Sequence, residues 1–265
     1  MNKIGIIGAG NIGLTLAKLL LKYQIVDKEH LKISFKGNSE TYARLKKNRL
    51  DTLIVPNETL ISDADIIFLT IKPKDYNAFR EDSAISKISE EKIFISTVAG
   101  HPISQLRKEL HVENIYNVMP SGPETLLDQK GICALYPVNA SVQTLMQALK
   151  IKVFSVDSEK AFYLFTTALC LPAAFLYMNE YPNFEEETVF IDVYKKWIPH
   201  FAEVYQWAKK ATPLDLNDLD KHAIIKNMST VGGVTENLVN HLKNGDTFSL
   251  GFSKALEYCE FLAKK

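Results

Sequence analysis

Glycines at positions 8, 10 and 13 are the first residues whose spacing implies chemistry. They lie in Gly8-Ala9-Gly10-Asn11-Ile12-Gly13, between the apolar run Ile4 to Ile7 and a stretch carrying Leu14, Ala17, Leu20 and Leu21 at helical spacing. In such a strand, turn and helix, Gly8 makes the tight turn, Gly10 lets the backbone approach a diphosphate, and Gly13 packs helix against strand. The N–H groups at the helix start, those of Asn11 and Ile12 included, join the positive end of the helix dipole in an anion site. The pattern predicts a dinucleotide site. A glycine-rich turn in another kind of α/β protein is the alternative.

The end of the next strand bears on which dinucleotide. An Asp or Glu about 20 residues past the glycines would bond the ribose 2′-hydroxyl of NAD. The chain has Phe35-Lys36-Gly37-Asn38-Ser39 there, with no acid. A cation and small hydrogen-bonding residues suit a 2′-phosphate, so Lys36, Asn38 and Ser39 are expected to contact NADP, with NAD possible. A solvated surface lysine is the plainer reading of Lys36. Further on, Lys72-Pro73 and Ala99-Gly100 end two later strands, in loops that would cover the cofactor's ribose and nicotinamide mainly with backbone. Gly232, Gly233 and Val234 stand at a helix start, where their N–H groups could hold a carboxylate without any arginine. Gly-Gly before a helix with Thr235 in its first turn is also ordinary capping. His101 could shuttle protons, but beside Pro102 it reads more readily as a turn residue. No HxxH, HExxH or Gly-x-Ser-x-Gly spacing occurs, so neither a metal site nor serine-nucleophile chemistry is expected.

These loops need elements to hold them. The pattern predicts strands at 4–7, 31–35, 52–55, 66–71, 92–97, 114–119, 132–136 and 152–156, with helices after the glycine turn and over 39–47, 103–110 and 141–149. The uninterrupted apolar run Ile66 to Ile71 is expected of a strand buried on both faces of a parallel sheet. From Asp157 the pattern turns to helices alone. The expected architecture is α/β: a Rossmann-type doubly wound sheet over 1–157, then an all-helical substrate and dimerisation domain over 158–265. In that second part Ala161 to Met178 is almost wholly apolar, and burial in the core or a subunit interface is expected over a membrane span. A long amphipathic stretch over 186–209, bent at Pro199, and helices over 219–228, 234–243 and 249–263 complete it.

Composition narrows the function classes. Lys plus Arg and Asp plus Glu each total 31, a net charge of zero that speaks for neither nucleic acid nor an anionic membrane as partner. Hydrophobic content of 46% and charged content of 23% are those of a soluble globular chain. The three cysteines, Cys133, Cys170 and Cys259, are far apart and read as reduced core thiols of a cytoplasmic protein. The N-terminal apolar run is too short for a secretory signal.

Taken in order, Gly8 to Gly13, Ile71-Lys72-Pro73, Ser96 to Gly100, Val118-Met119-Pro120-Ser121-Gly122-Pro123, Pro172-Ala173 and Gly232-Gly233-Val234-Thr235 resemble pyrroline-5-carboxylate reductase along essentially the whole chain. The resemblance implies a Rossmann domain binding NADPH or NADH, an interlocked homodimer or larger assembly, and reduction of a small cyclic imine, in that family the step that makes proline. It gives Thr235 the role of donor to the imine nitrogen and places Met119 and Pro120 with Gly232, Gly233 and Val234 around the substrate. The departures fall in those loops. The family has Met-Pro-Asn-Thr-Pro where this chain has Met119-Pro120-Ser121-Gly122-Pro123, and small residues where it has Leu169-Cys170-Leu171. It has Ser-Pro-Gly-Gly-Thr-Thr where this chain has Thr230-Val231-Gly232-Gly233-Val234-Thr235. A hydroxyacid or ketoacid reductase with another small substrate, and a catalytically silent nucleotide-binding relative, are the alternatives these departures raise.

Overall fold

The computed structural model of the chain describes residues 2–262. Its first part alternates strands and helices: β1 Ile4–Ile7, α1 Asn11–Lys22, β2 Leu31–Ser34, α2 Ser39–Lys47, α3 Asn57–Asp63, β3 Ile66–Leu69, α4 Tyr76–Arg80, β4 Ile93–Ser96, α5 Ile103–Leu110, β5 Ile115–Pro120, α6 Pro123–Leu127, β6 Ile132–Tyr136, α7 Ala140–Ala148 and β7 Lys152–Ser155. The strands form one sheet in the order β2-β1-β3-β4-β5-β6-β7. Neighbours are parallel except β5 and β6. The exception follows from chain length. A parallel return usually needs a dozen or more residues with a crossover helix, whereas Ser121 to Gly131 carry only the short α6, so β6 turns straight back along β5.

Both faces of the sheet are covered, and side chains divide between them with the two-residue period of a strand. Ile4, Ile6, Ile66, Phe68, Cys133 and Leu135 pack with α1, α2 and α7, while Ile7, Ile67, Leu69 and Phe94 pack with α3 and α5. Ile132, Ala134 and Phe154 join a third cluster made mostly of the C-terminal helices. Those are α8 Glu159–Ala168, α9 Leu171–Met178, α10 Phe184–Tyr194, α11 Phe201–Ala211, α12 Asp218–Met228, α13 Val234–Lys243 and α14 Phe248–Leu262. Ser158 caps α8 by accepting from the Ala161 N–H at 3.2 Å. The architecture is the one expected, a Rossmann-type sheet followed by helices.

Register decides where the helices sit. Ser96, the last residue of β4, lies opposite Asn117, and Asn117 lies opposite Tyr136, the last residue of β6. β6 and β7 therefore pair with only the later part of β5 and stand beyond the carboxyl ends of β1, β3 and β4. The helices packed on them overhang that edge.

Some expected elements differ. Thr52 to Val55 is not a strand: Asp51–Leu53 is a 3-10 turn, and only Ile54 makes a bridge, to Ile33. The apolar stretch 161–178 is divided between α8 and α9, with the break at Leu169 and Cys170 just before Pro172. By length and composition Glu159–Met178 could cross a membrane, but 78% of its most apolar window is buried inside the protein. The amphipathic stretch 186–209 is likewise two helices, α10 and α11, separated around Pro199. The expected last residue of the final helix, Ala263, lies outside the described residues. The short helices α3, α4 and α6 were not expected from periodicity, being too brief to show one.

Candidate active site

The glycine turn stands where strand order reverses, between β1 and its neighbours β2 and β3, the position at which doubly wound sheets bind ligands. Gly8 has φ +103°, in the region open to glycine, and an added Cβ would lie 2.9 Å from the Ile71 nitrogen. A Cβ on Gly13 would lie 2.0 Å from the Gly8 carbonyl oxygen and 2.5 Å from Thr70 Oγ1, so α1 starts directly against the turn. Thr70 fixes that turn by donating to the Gly8 carbonyl at 2.5 Å. Gly10 is different. Its Cβ would meet nothing within 4 Å, and as N-cap of α1 it leaves the helix start without a side-chain cap or an acidic residue in the first turn. Open space over uncapped amides is what a diphosphate needs. The residues present fit the diphosphate of a dinucleotide.

Around this cradle the structure brings in residues that sequence spacing did not show. Arg44, one turn from the end of α2, donates to Asn11 Oδ1 at 2.6 Å and to Thr41 Oγ1 at 3.3 Å, which places a guanidinium beside the helix start. Lys36 is exposed, and its ammonium is paired with Asp75 Oδ1 at 2.8 Å. The acid missing after β2 is thus supplied by the turn Pro73–Asp75 that follows β3. Asn38 caps α2, accepting from the Thr41 N–H at 3.1 Å, and Ser39 is the first residue of that helix. Lys36 and Asn38, expected at a 2′-phosphate, thus each have a partner within the chain. One is ion-paired and the other is capping.

The helical part comes down on the same edge. Glu159 Oε1 accepts from the Ile103 N–H at 2.6 Å, at the start of α5. Gly100, φ +74°, lies under the end of α14, where an added Cβ would stand 3.2 Å from the Leu262 carbonyl oxygen. Gly122 meets Met228 in the same way, at 3.0 Å, and Asn227 Nδ2 donates to Glu124 Oε1 at 3.0 Å. Met119 and Pro120 are half-buried at the end of β5, Met119 against the helical cluster. The turn between α12 and α13, which carries Gly232, follows Met228 directly. Lys72 and Pro73 are exposed, at the turn after β3. His101 is held as a turn residue, its Nδ1 3.1 Å from the Ala99 carbonyl and its ring 4.2 Å from that of Tyr76. Two open surface clefts, lined by Arg107, Lys108 and His111 and by Ile66, Ile93 and Leu145, lie at the opposite edge and do not touch this site.

The start of α13 departs most from expectation. The Gly232 N–H donates to Glu236 Oε2 at 2.7 Å, and the Gly233 N–H donates to the Thr230 carbonyl at 2.7 Å. Two of the three amides expected to hold a substrate carboxylate are already bonded within the chain, one of them to a carboxylate. The Gly232 carbonyl in turn accepts from the Tyr258 hydroxyl at 3.0 Å. Thr235 donates its hydroxyl to Cys170 Sγ at 3.2 Å. Burial pushes the Cys170 thiol up to about 12, so it keeps its proton, which it directs at the Thr166 carbonyl 3.6 Å away. The sulfur then accepts, and the Thr235 hydroxyl hydrogen is not aimed at open space. Its oxygen retains acceptor capacity. Spacing did not reveal Cys170, Glu236, Arg44 or Asp75 in these positions, because each is brought in from another element or by a side-chain rotamer.

Fold and cradle together define a Rossmann-type nucleotide-binding protein with a helical C-terminal domain. Residues 3–100 match the family described as NADP oxidoreductase, coenzyme F420-dependent. The pyrroline-5-carboxylate reductase of Staphylococcus haemolyticus is 29% identical over 120 residues, 45% of this chain and 44% of that protein, so the match spans less than half of the curated relative. The pyrroline carboxylate reductase of Plasmodium falciparum, solved with NADP bound, has a similar fold at TM-score 0.57 and 21% identity, covering 99% of this chain and 97% of that one. The pyrroline-5-carboxylate reductase of Coxiella burnetii gives TM-score 0.61 at 16% identity, covering 100% and 99%. The chain is thus similar in sequence to pyrroline-5-carboxylate reductases over less than half of its length and similar to them in fold over nearly all of it.

Proposed function

We propose that this protein is an NAD(P)H-dependent oxidoreductase that reduces the C=N bond of a small cyclic imine. When bound, the reduced nicotinamide supplies the hydride. The chain's own residues bind and orient. Gly8, Gly10 and the first amides of α1 hold the diphosphate, Ala99 and Gly100 back the nicotinamide, and the end of α14, tied to the α12–α13 turn by the Tyr258 hydroxyl on the Gly232 carbonyl, roofs Gly100. The observation that carries the reading is the polar group offered by that roof. It is the hydroxyl of Thr235, while His101 is tied to its own turn. Reduction of an alcohol's ketone ordinarily calls for a general acid of suitable pKa, whereas a protonated imine already carries its proton and needs only to be held.

NADP is the cofactor we assign, with NAD as the competitor, because Lys36 stands just before α2 and Arg44, in the last turn of α2, reaches Asn11 at the start of α1. Proline formation from pyrroline-5-carboxylate is the first reaction to test, given the resemblance. We further propose self-association in a cytoplasmic setting. Phe184, Val189, Val193 and Trp197 stay exposed on and just after α10, and the three cysteines are free and buried.

The test follows NADPH absorbance with a panel of small cyclic imines and compares Thr235→Ser with Thr235→Val. Activity on an imine, retained in Thr235→Ser and reduced at least about tenfold in kcat/KM in Thr235→Val at unchanged cofactor affinity, is expected for one lost hydrogen bond to a charged group. No NADPH oxidation with any imine, or a Thr235→Val enzyme as active as the parent, overturns the reading.

A further inference from the structure

Two charged residues from different turns meet across the end of β1. β2 and β3 flank β1 in the sheet, and Ser34, Ile7 and Leu69 are level in the register, so the three carboxyl ends form one edge. Neighbouring strands lie about 4.8 Å apart, which puts the ends of β2 and β3 roughly 10 Å from each other. Lys36 follows β2 and Asp75 follows β3, yet Nζ and Oδ1 are 2.8 Å apart. The pair thus crosses the edge where the glycine turn leaves β1. Asp75 makes this contact in place of a local one: it holds the N-cap position of α4, where an aspartate ordinarily caps, and makes no capping bond. The two side chains are 64% and 27% exposed, and an ion pair in that setting is weak enough for a ligand to part.

The two halves of the pair suit different dinucleotides. A carboxylate at this edge accepts from the ribose 2′-hydroxyl of NAD, and a cation there takes the 2′-phosphate of NADP. While the pair is closed, each masks the other. Arg44 stands outside the pair. Its bonds run to two neutral oxygens, Asn11 Oδ1 at 2.6 Å in the first turn of α1 and Thr41 Oγ1 at 3.3 Å, and its Nε is buried without a partner. Neither bond neutralises the guanidinium, which stays charged and matches phosphate with a planar fork of donors.

We propose that Lys36 and Asp75 form a cofactor selector laid across the glycine turn, opened by NADP through Lys36 or by NAD through Asp75, and that Arg44 sets the balance toward NADP. The selector rests on the dinucleotide reading given above and deepens it, and it holds whichever imine is reduced. One site then takes both cofactors, and the preference is the difference between two exchanges of partner. With a 2′-phosphate, Lys36 trades one carboxylate for a more highly charged anion and Arg44 joins it, while Asp75 turns to water. With a 2′-hydroxyl, Asp75 gains only a neutral donor. The first exchange is the more favourable because its bonds are charge-assisted on both sides.

The experiment is calorimetry of the full chain with NADP+ and NAD+, and with 2′,5′-ADP and 5′-AMP, which differ only in the 2′-phosphate. Lys36→Met, Asp75→Asn, the double variant and Arg44→Met are compared with the parent, with urea midpoints recorded for each. The parent binds both dinucleotides, NADP+ more tightly. Lys36→Met unmasks Asp75, so NADP+ weakens by about tenfold or more, the size of one charge-assisted hydrogen bond, and NAD+ tightens several-fold. The double variant loses that NAD+ gain, which shows that Asp75 supplies it. Arg44→Met weakens NADP+ by about tenfold and leaves NAD+ unchanged. The bisphosphate follows NADP+ and the monophosphate follows NAD+. A Lys36→Met protein that gains nothing for NAD+, a double variant that keeps the gain, or an Arg44→Met protein that weakens both dinucleotides equally overturns the selector and, with NADP+ still bound by the parent, leaves the oxidoreductase reading standing. A parent that binds neither dinucleotide brings both down.

Discussion

Replacing Gly10 by alanine separates the stability of the nucleotide turn from its use. Gly10 lies at φ −67° and ψ −164°, extended backbone that alanine adopts freely, and its added Cβ meets nothing within 4 Å. Nothing in the folded chain opposes the methyl, while the unfolded chain loses freedom, so Gly10→Ala should leave stability unchanged or raise it by about 0.4–1 kcal/mol. The same methyl would stand in the space above the α1 amides. Each amide–phosphate bond it displaces weakens binding by roughly 1.5–3 kcal/mol, at least about tenfold. Gly13→Ala is the counterpart, since its Cβ would lie 2.0 Å from the Gly8 carbonyl oxygen. The start of α1 must retreat, a strain that costs roughly 1–3 kcal/mol. Urea unfolding read by circular dichroism and calorimetric titration with NADP+ give the two axes. Gly10→Ala is expected to lose affinity and keep its midpoint, and Gly13→Ala to lower the midpoint. A Gly10→Ala protein that binds NADP+ as tightly as the parent would refute the placement of the diphosphate over this turn.

Two further outcomes follow from charges and thiols. Asp75→Asn removes the carboxylate paired with Lys36, so NADP+ should bind several-fold tighter while NAD+ gains nothing; fluorescence titration with both dinucleotides checks it, and a gain for NAD+ alone would assign the site to the other cofactor. Burial pushes Cys170 up to about 12 and Cys259 up to about 11, from an ordinary value of 9.0. The unfolded chain loses these protons near pH 9 and the folded chain only well above it, so the contribution of the protonated thiols is full below about pH 9 and is lost as pH rises toward 12. The buried tyrosines Tyr76, Tyr163 and Tyr205 are shifted the same way by burial. Urea midpoints at pH 8, 9.5 and 10.5 should fall in that order, and iodoacetamide should label the cysteines only on unfolding. Labelling of the native protein at pH 9 would show the thiols to be accessible.

The sequence by itself determined the longer elements and the glycine turn. Ile4 to Ile7, the glycine turn and the following helix are local, and their reading needs only turn chemistry and the change of period from two to 3.6 residues. The helices 39–47, 103–110 and 234–243 are legible for the same reason. Short pieces such as Asn57–Asp63 carry too few turns to show a period, and Ile54 reaches only one bridge because the chain around it closes a 3-10 turn instead. The tertiary structure alone decided the rest. Asp75 reaches Lys36 from 39 residues away, Cys170 takes the Thr235 hydroxyl from 65, and the stagger of β6 and β7 brings Met228 and Leu262 over Gly122 and Gly100. Even the Glu236 contact, four residues from Gly232, depends on which rotamer the side chain takes once Tyr258 fixes the turn. Residue types and spacing record what a segment can do by itself. Which hydrogen is already spent, and which charge already paired, is set by neighbours that only folding brings together.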